Sequence, residues 1–223
     1  MFSDTLMNAS PKKLTELQYA VMSDRERNVL VNFPFTPVVE KPGSEDPIVM
    51  DDPLMLIRQQ FAKQIPLIMG ITNEEGAGLA GHVIANMEKY QSSMIDQLIP
   101  FALNIGSDQN KRDIYEEIKG FFFKDNDLSL ETVSIMVQIL GDNANKYAGY
   151  DSAVLHSRFQ KYENLKLDFL TKTNIINAFT SRSPLYFYIF SHISDLNKMR
   201  QLAETPENCP GAVHGDDLCY LFE

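Results

Sequence analysis

The chain has only two cysteines, Cys209 and Cys219. Two thiols cannot build a disulfide framework, and neither has the Cys-x-x-Cys spacing of a redox or zinc site. They could bridge each other, although free thiols are the expected state. The four histidines form no His-Glu-x-x-His pattern and no Cys/His cluster, so neither a metal nor a cofactor is expected. Clustered Lys and Arg are also missing. The net charge is −10, and the basic groupings Lys12-Lys13 and Asp24-Arg25-Glu26-Arg27 are too small or too mixed in sign to replace the counterions of a polyanion. That excludes nucleic acid and anionic lipid surfaces as expected partners. No run approaches the roughly 18 apolar residues of a membrane span; the densest, Leu185 to Phe190, is strand-sized. Met1 to Asn8 has neither the basic start nor the roughly 7 to 15 apolar residues of a secretory signal, so none is expected in the chain as written.

What is present is mostly helical periodicity with a few strands. Ser10 and Pro11 form a cap and first helical position for Pro11 to Val21, where Leu14, Leu17 and Val21 share a face. Lys41 to Pro47 is turn-rich. Asp52-Pro53 opens a helix through Ala62. Past Gly76, apolar-periodic segments at Leu79 to Tyr90, Ser93 to Ile99, Asn110 to Phe123, Ser129 to Leu140 and Asp151 to Phe179 make a helical insert. Strands are expected around Phe35 to Val39, Ile65 to Ile71 and Leu185 to Ser191. The last reads as a continuous apolar run, the pattern of a strand buried on both faces. These strands are too few for a complete sheet, which predicts exposed edges and a tendency to aggregate.

Chemistry concentrates just past two of these elements. Ile65 to Gly70 runs into Ile71-Thr72-Asn73-Glu74-Glu75-Gly76, and much later comes Gly211-Ala212-Val213-His214-Gly215-Asp216-Asp217-Leu218-Cys219-Tyr220-Leu221-Phe222. An acid and a histidine on loops are two thirds of a Ser-His-acid triad. The nucleophile would sit in Gly-x-Ser-x-Gly, and residues 1 to 223 contain no such pentapeptide.

Phe35-Thr36-Pro37-Val38-Val39-Glu40, Ile65 to Gly76, Ser183 to Phe190 and Gly211 to Phe222 follow one another as do segments of the type B carboxylesterase and cholinesterase-like family, which this chain resembles from about Leu14 to Phe222. The resemblance implies an α/β class, a partial α/β-hydrolase fold, with residues 1–223 forming one partial domain that lacks the serine and the glycine-rich oxyanion-hole segment. It implies a small carboxylic ester as substrate and His214 as the general base. Glu75 is implied as the acid, in preference to Glu74, because it directly precedes the glycine. Asp217 is expected to hold the loop, and Asp168 to match a buried acid that supports the histidine region. The resemblance also implies an extracellular or secretory setting, in which Asn8-Ala9-Ser10 could accept a glycan. By itself the chain is expected to be inactive. Two other readings stay open: a noncatalytic esterase-like protein that works through its surface, and an unrelated helical binding module. His82, His156 and His192, the aromatic group Phe121-Phe122-Phe123, and Met50, Met55, Met69, Met87, Met94 and Met136 are expected to be structural, the methionines as gap-filling core residues.

Overall fold

A computed structural model describes residues 2–30, 33, 35–58, 66–99, 103, 105–124, 126–158, 176–178 and 184–222. Helices α1 (Phe2–Met7), α2 (Pro11–Leu17), α3 (Asp24–Asn28) and α4 (Pro53–Arg58) precede strand β1 (Leu67–Thr72). The helical insert follows as α5 (Ala80–Ala85), α6 (Met87–Ser92), α7 (Met94–Leu98), α8 (Asp108–Ile118), α9 (Val133–Gly141) and α10 (Tyr147–Arg158). Strands β2 (Ile176–Ala178) and β3 (Leu185–Phe190), then α11 (Lys198–Leu202) and α12 (Leu218–Leu221), complete the order. The mostly helical α/β reading therefore holds.

Local sequence explains the helix starts. Ser10 Oγ accepts from Lys13 N at 3.2 Å with Pro11 in the first turn, as expected of that pair. Asp52 Oδ1 accepts from Leu54 N at 2.9 Å and starts α4 in the same way. Residues 59–62, the rest of that expected helix, lie outside the described residues, as do 63–65. So do residues 159–175, which hold Asp168 and most of the rest of the helix expected to reach Phe179; within the span of that expected helix Ile176–Ala178 is strand and not helix, because it pairs with β3.

The strand expected over Phe35 to Val39 does not form. Phe35, Val38 and Val39 are exposed, and Glu40 instead closes a loop, its N–H donating to Val49 O at 2.8 Å while its carboxylate accepts from Ile48 N and Val49 N. Pro37 supplies no N–H to a ladder, and among the described residues no strand lies alongside. β1 and β3 pair in parallel from Leu67↔Leu185 to Thr72↔Phe190, and β2 pairs antiparallel with β3, giving the order β1-β3-β2. Parallel neighbours need a long crossover, which the helical insert provides.

Among the described residues, one face of this sheet is well covered. Leu185 and Phe187 are buried with Ala153 of α10, beside Leu67, Met69 and Ile71. Tyr150 of α10 meets the Phe187 ring edge-on at 6.3 Å. On the other face Ile68 is 72% exposed. The unbroken apolar run in β3 thus does not mean two buried faces here. A larger core lies among the helices, where Val83, Met94, Leu98, Phe123, Val133, Met136 and Val137 pack together with Val213 from the C-terminal loop. Met94 and Met136 are core as expected, but Met50 and Met55 are exposed, and of the three phenylalanines only Phe123 is buried. The last turn of the α8 segment, Lys119–Phe123, is a π turn that directs Phe121 and Phe122 outward.

One backbone crossing joins this core to the end of β1. A Cβ on Gly76 would lie 1.8 Å from the carbonyl oxygen of Val137, and one on Gly141 would lie 2.3 Å from Gly76 N. The turn after β1 and helix α9 thus meet backbone to backbone at Gly76 and Gly141. Gly76→Ala is therefore expected to cost about 3 kcal/mol through forced overpacking, read as a lower urea midpoint. An unfolding curve like that of the unaltered chain would contradict this contact.

Candidate active site

β1 delivers its last residue, Thr72, to a tight turn in which Ala77 N donates to Glu74 O at 3.0 Å. Glu75 lies inside that turn and is buried. A buried carboxylate needs donors, and this one has them on both oxygens. Oε1 accepts from Thr72 N at 2.6 Å; Oε2 accepts from His214 Nδ1 at 2.7 Å and from Asn145 Nδ2 at 3.1 Å. The backbone N–H of His214 also points to Glu75 O at 3.4 Å. The structure therefore brings together the two residues that the sequence singled out.

Glu74 takes the other direction. Its Cγ lies under Gly211, where an added Cβ would come within 2.3 Å. Burial pushes its carboxyl above the ordinary value, Lys146 partly opposes this, and Asp142 adds to it.

The histidine loop is held by polar groups that the sequence reading did not identify. Gly211 and Gly215 take φ of +105° and +83°, a region costly for any other residue. Between them the chain wraps around Asp216, which is fully buried. Its Oδ2 accepts from Val213 N at 2.8 Å and Asn197 Nδ2 at 3.0 Å, and its Oδ1 from Arg200 N at 3.0 Å. The Arg200 guanidinium donates to the carbonyls of Cys209 at 2.7 Å and Gly211 at 2.9 Å. Asn73 Oδ1 accepts from Ala212 N at 2.9 Å, and Glu74 N donates to Ala212 O at 3.0 Å, so the acid turn and the histidine loop are stitched directly.

Asp217, the residue expected to hold the loop, accepts from Tyr188 Oη at 2.6 Å and ties it to β3. Burial and then this carboxylate push the Tyr188 phenol far above its ordinary value. Asp216 carries more of the loop than Asp217. The only sequence signal for it was an acid three residues past Val213, the spacing at which an Asp side chain can cap a turn. Asn145 had no local signal at all.

The remaining candidates are dispersed. His82 Nε2 lies 2.9 Å from Tyr90 Oη, His156 is half-buried in α10 with its ring pushed toward the neutral form by burial, and His192 stacks edge-on against Tyr220. Cys209 and Cys219 are both free; the Cys209 thiol is buried and raised for that reason.

Chemically, a carboxylate on Nδ1 fixes the imidazole so that Nε2 carries the lone pair. The His214 side chain is 71% exposed, and among the described residues its Nε2 has no hydrogen-bond partner. The pair can therefore take a proton at Nε2 from a group brought to it and hold the resulting charge against Glu75.

Comparisons with known proteins give the family and the fold. The sequence model described as "Carboxylesterase family" matches residues 2–223. Among curated proteins the chain is similar to "Venom carboxylesterase-6" of Apis mellifera, 22% identical over 191 residues, covering 83% of this chain and 30% of that protein. It is also similar to "Juvenile hormone esterase" of Tribolium castaneum, 23% identical over 206 residues, with coverage of 85% and 31%. The chain spans about a third of the length of these relatives. Among solved structures, juvenile hormone esterase from Manduca sexta with OTFP covalently attached has the same fold over 99% of this chain and 36% of its own, with a TM-score of 0.64 at 22% identity.

Two outcomes follow from the loop and the turn. Asp216→Ala leaves three donors without their acceptor, so it is expected to cost about 3 kcal/mol and to open the 211–217 segment to limited proteolysis, with Asp217→Asn milder. Equal effects would remove Asp216 from its central place. For Glu74 the sign follows from burial: the folded state keeps its proton to higher pH than the unfolded chain, so stability falls as pH rises past the unfolded value of 4.5. Glu74→Gln should then raise Tm at pH 7 relative to the unaltered chain and change it little at pH 4. A gain that is larger at pH 4 would reverse the assignment.

Proposed function

This chain belongs to the carboxylesterase family, whose model spans residues 2–223, and we propose on that premise that it supplies the acid and the histidine of a serine esterase site. Glu75 orients the imidazole and stabilises the imidazolium; His214 takes the proton of a serine and returns it to the leaving alcohol. The observation that carries this reading is the 2.7 Å hydrogen bond between a buried carboxylate and the Nδ1 of an otherwise exposed histidine. The serine and the oxyanion donors lie outside residues 1–223, which act as one partial domain, so this chain alone is inactive. The substrate of the complete site is a small carboxylic ester.

An extracellular setting goes with this reading, supported by the word "venom" in the name of one relative. Asn8, exposed in the turn after α1, is where a glycan would attach. No helix among the described residues is long and apolar enough to cross a membrane.

Purified residues 1–223 are expected to turn over a short-chain aryl ester no faster than the His214→Ala variant. Organophosphate-sensitive turnover would overturn this, because it requires a serine nucleophile within the chain. In the complete protein, Glu75→Gln is expected to lower kcat by about four orders of magnitude with little change in KM, while Glu74→Gln leaves kcat within a few-fold. Indifference of kcat to Glu75→Gln would remove Glu75 from the site, and a complete protein that turns over no ester would leave a noncatalytic, surface-acting protein as the better reading.

A further inference from the structure

Helix α9 ends at Gly141, pressed against the backbone of Gly76, and α10 begins at Tyr147. The residues between, Asp142–Lys146, wind as a π turn. A π turn takes an extra residue and offsets the direction of the side chains that follow, and such turns recur at functional sites. Here the offset brings the half-buried Asn145 onto the acid and histidine, while Asp142 and Lys146 pair with each other at 2.7 Å.

Asn145 Nδ2 lies 3.1 Å from Glu75 Oε2 and 3.0 Å from His214 Nδ1, and those two atoms are 2.7 Å apart. The polarity of this triangle is settled by chemistry. The oxygen end of the amide would face a carboxylate oxygen and be repelled, so the nitrogen end is inward. An amide nitrogen donates and does not accept. Nδ1–H therefore has Oε2 as its acceptor in the triangle, and since the amide could itself donate to a bare Nδ1, it is the carboxylate at 2.7 Å and not Asn145 that keeps the proton there. Asn145 also holds Oε2 independently of the histidine, as Thr72 N holds Oε1 at 2.6 Å, so the carboxylate is aimed from both ends before the imidazole arrives.

We infer that Asn145 is a positioning residue that aims the Glu75 carboxylate, and that it is through this aimed carboxylate that His214 keeps its proton on Nδ1 and leaves the Nε2 lone pair for the reacting hydroxyl. This rests on the reading of Glu75 and His214 as the acid and base of an esterase site. Its effect passes through Glu75; it touches no reacting atom.

The test uses side-chain NMR of residues 1–223 carrying ¹⁵N-labelled histidine, with His214→Ala to assign the ring signals. In the unaltered chain, neutral His214 is expected as the single Nδ1–H form with a slowly exchanging proton. Asn145→Ala should speed that exchange about tenfold, the loss expected for one hydrogen bond to a charged group, and a second tautomer should appear. Asn145→Leu, which keeps the shape and removes the donor, should do the same, and it decides the matter if Asn145→Ala does not fold. The backbone spectrum away from the site should be unchanged, which a merely structural role would not explain. The inference is overturned if both Asn145 variants keep the exchange rate and the tautomer while Glu75→Gln abolishes the slow proton. If Glu75→Gln is silent as well, the pair itself is absent, and the esterase reading falls together with the role of Asn145.

Discussion

The contact between the acid turn and helix α9 is the constraint on which the rest of this structure depends. Gly76 lies against the carbonyl of Val137, and Gly141 against the amide of Gly76, at separations that no side chain could share. Because the backbones touch, the end of β1 is anchored to the main helical core, in which Val133, Met136 and Val137 are almost wholly buried. The same contact fixes where Glu75 points and where α9 must end, so the π turn that follows begins beside the carboxylate. A small displacement of the crossing would move the acid, its backbone donor at Thr72 and Asn145 together.

The histidine side of the site is built on a different principle. Its loop has little regular structure, so its backbone groups must find partners among side chains. Asp216 and Arg200 provide them: a buried carboxylate gathers N–H groups while a guanidinium gathers carbonyls from residues 209 and 211. Tyr188 then joins the loop to the sheet through Asp217, its ring lying flat over Gly70, where a Cβ would come within 2.1 Å of it. The result is a rigid frame around one exposed imidazole, the form expected when a proton-transfer group must meet a partner at a set distance.

Much of this was legible in the order of the residues. Helix starts at Ser10 and Asp52, strands at Leu67–Thr72 and Leu185–Phe190, the helical insert between them, and an acid before a glycine are all consequences of rules that act over a few positions. Errors arose where a local pattern lacked a partner. Among the described residues, Phe35 to Val39 reads as a strand but pairs with none, and the apolar run of β3 suggests two covered faces where α10 covers one. Met50 and Met55 look like core residues and are exposed.

By itself the sequence determined the chemical types and their neighbours: a carboxylate ahead of Gly76, a histidine framed by two glycines, and the backbone freedom those glycines allow. Only the tertiary structure decided which groups meet. That Asp216 rather than Asp217 lies at the centre of the loop, that Glu74 turns toward Gly211 while Glu75 turns toward His214, and that Asn145 reaches both members of the pair depend on contacts between residues far apart in the chain. A π turn shifts side-chain direction without a mark in local composition, and a buried hydrogen bond depends on what closes over it. Neither is written in the residues on either side.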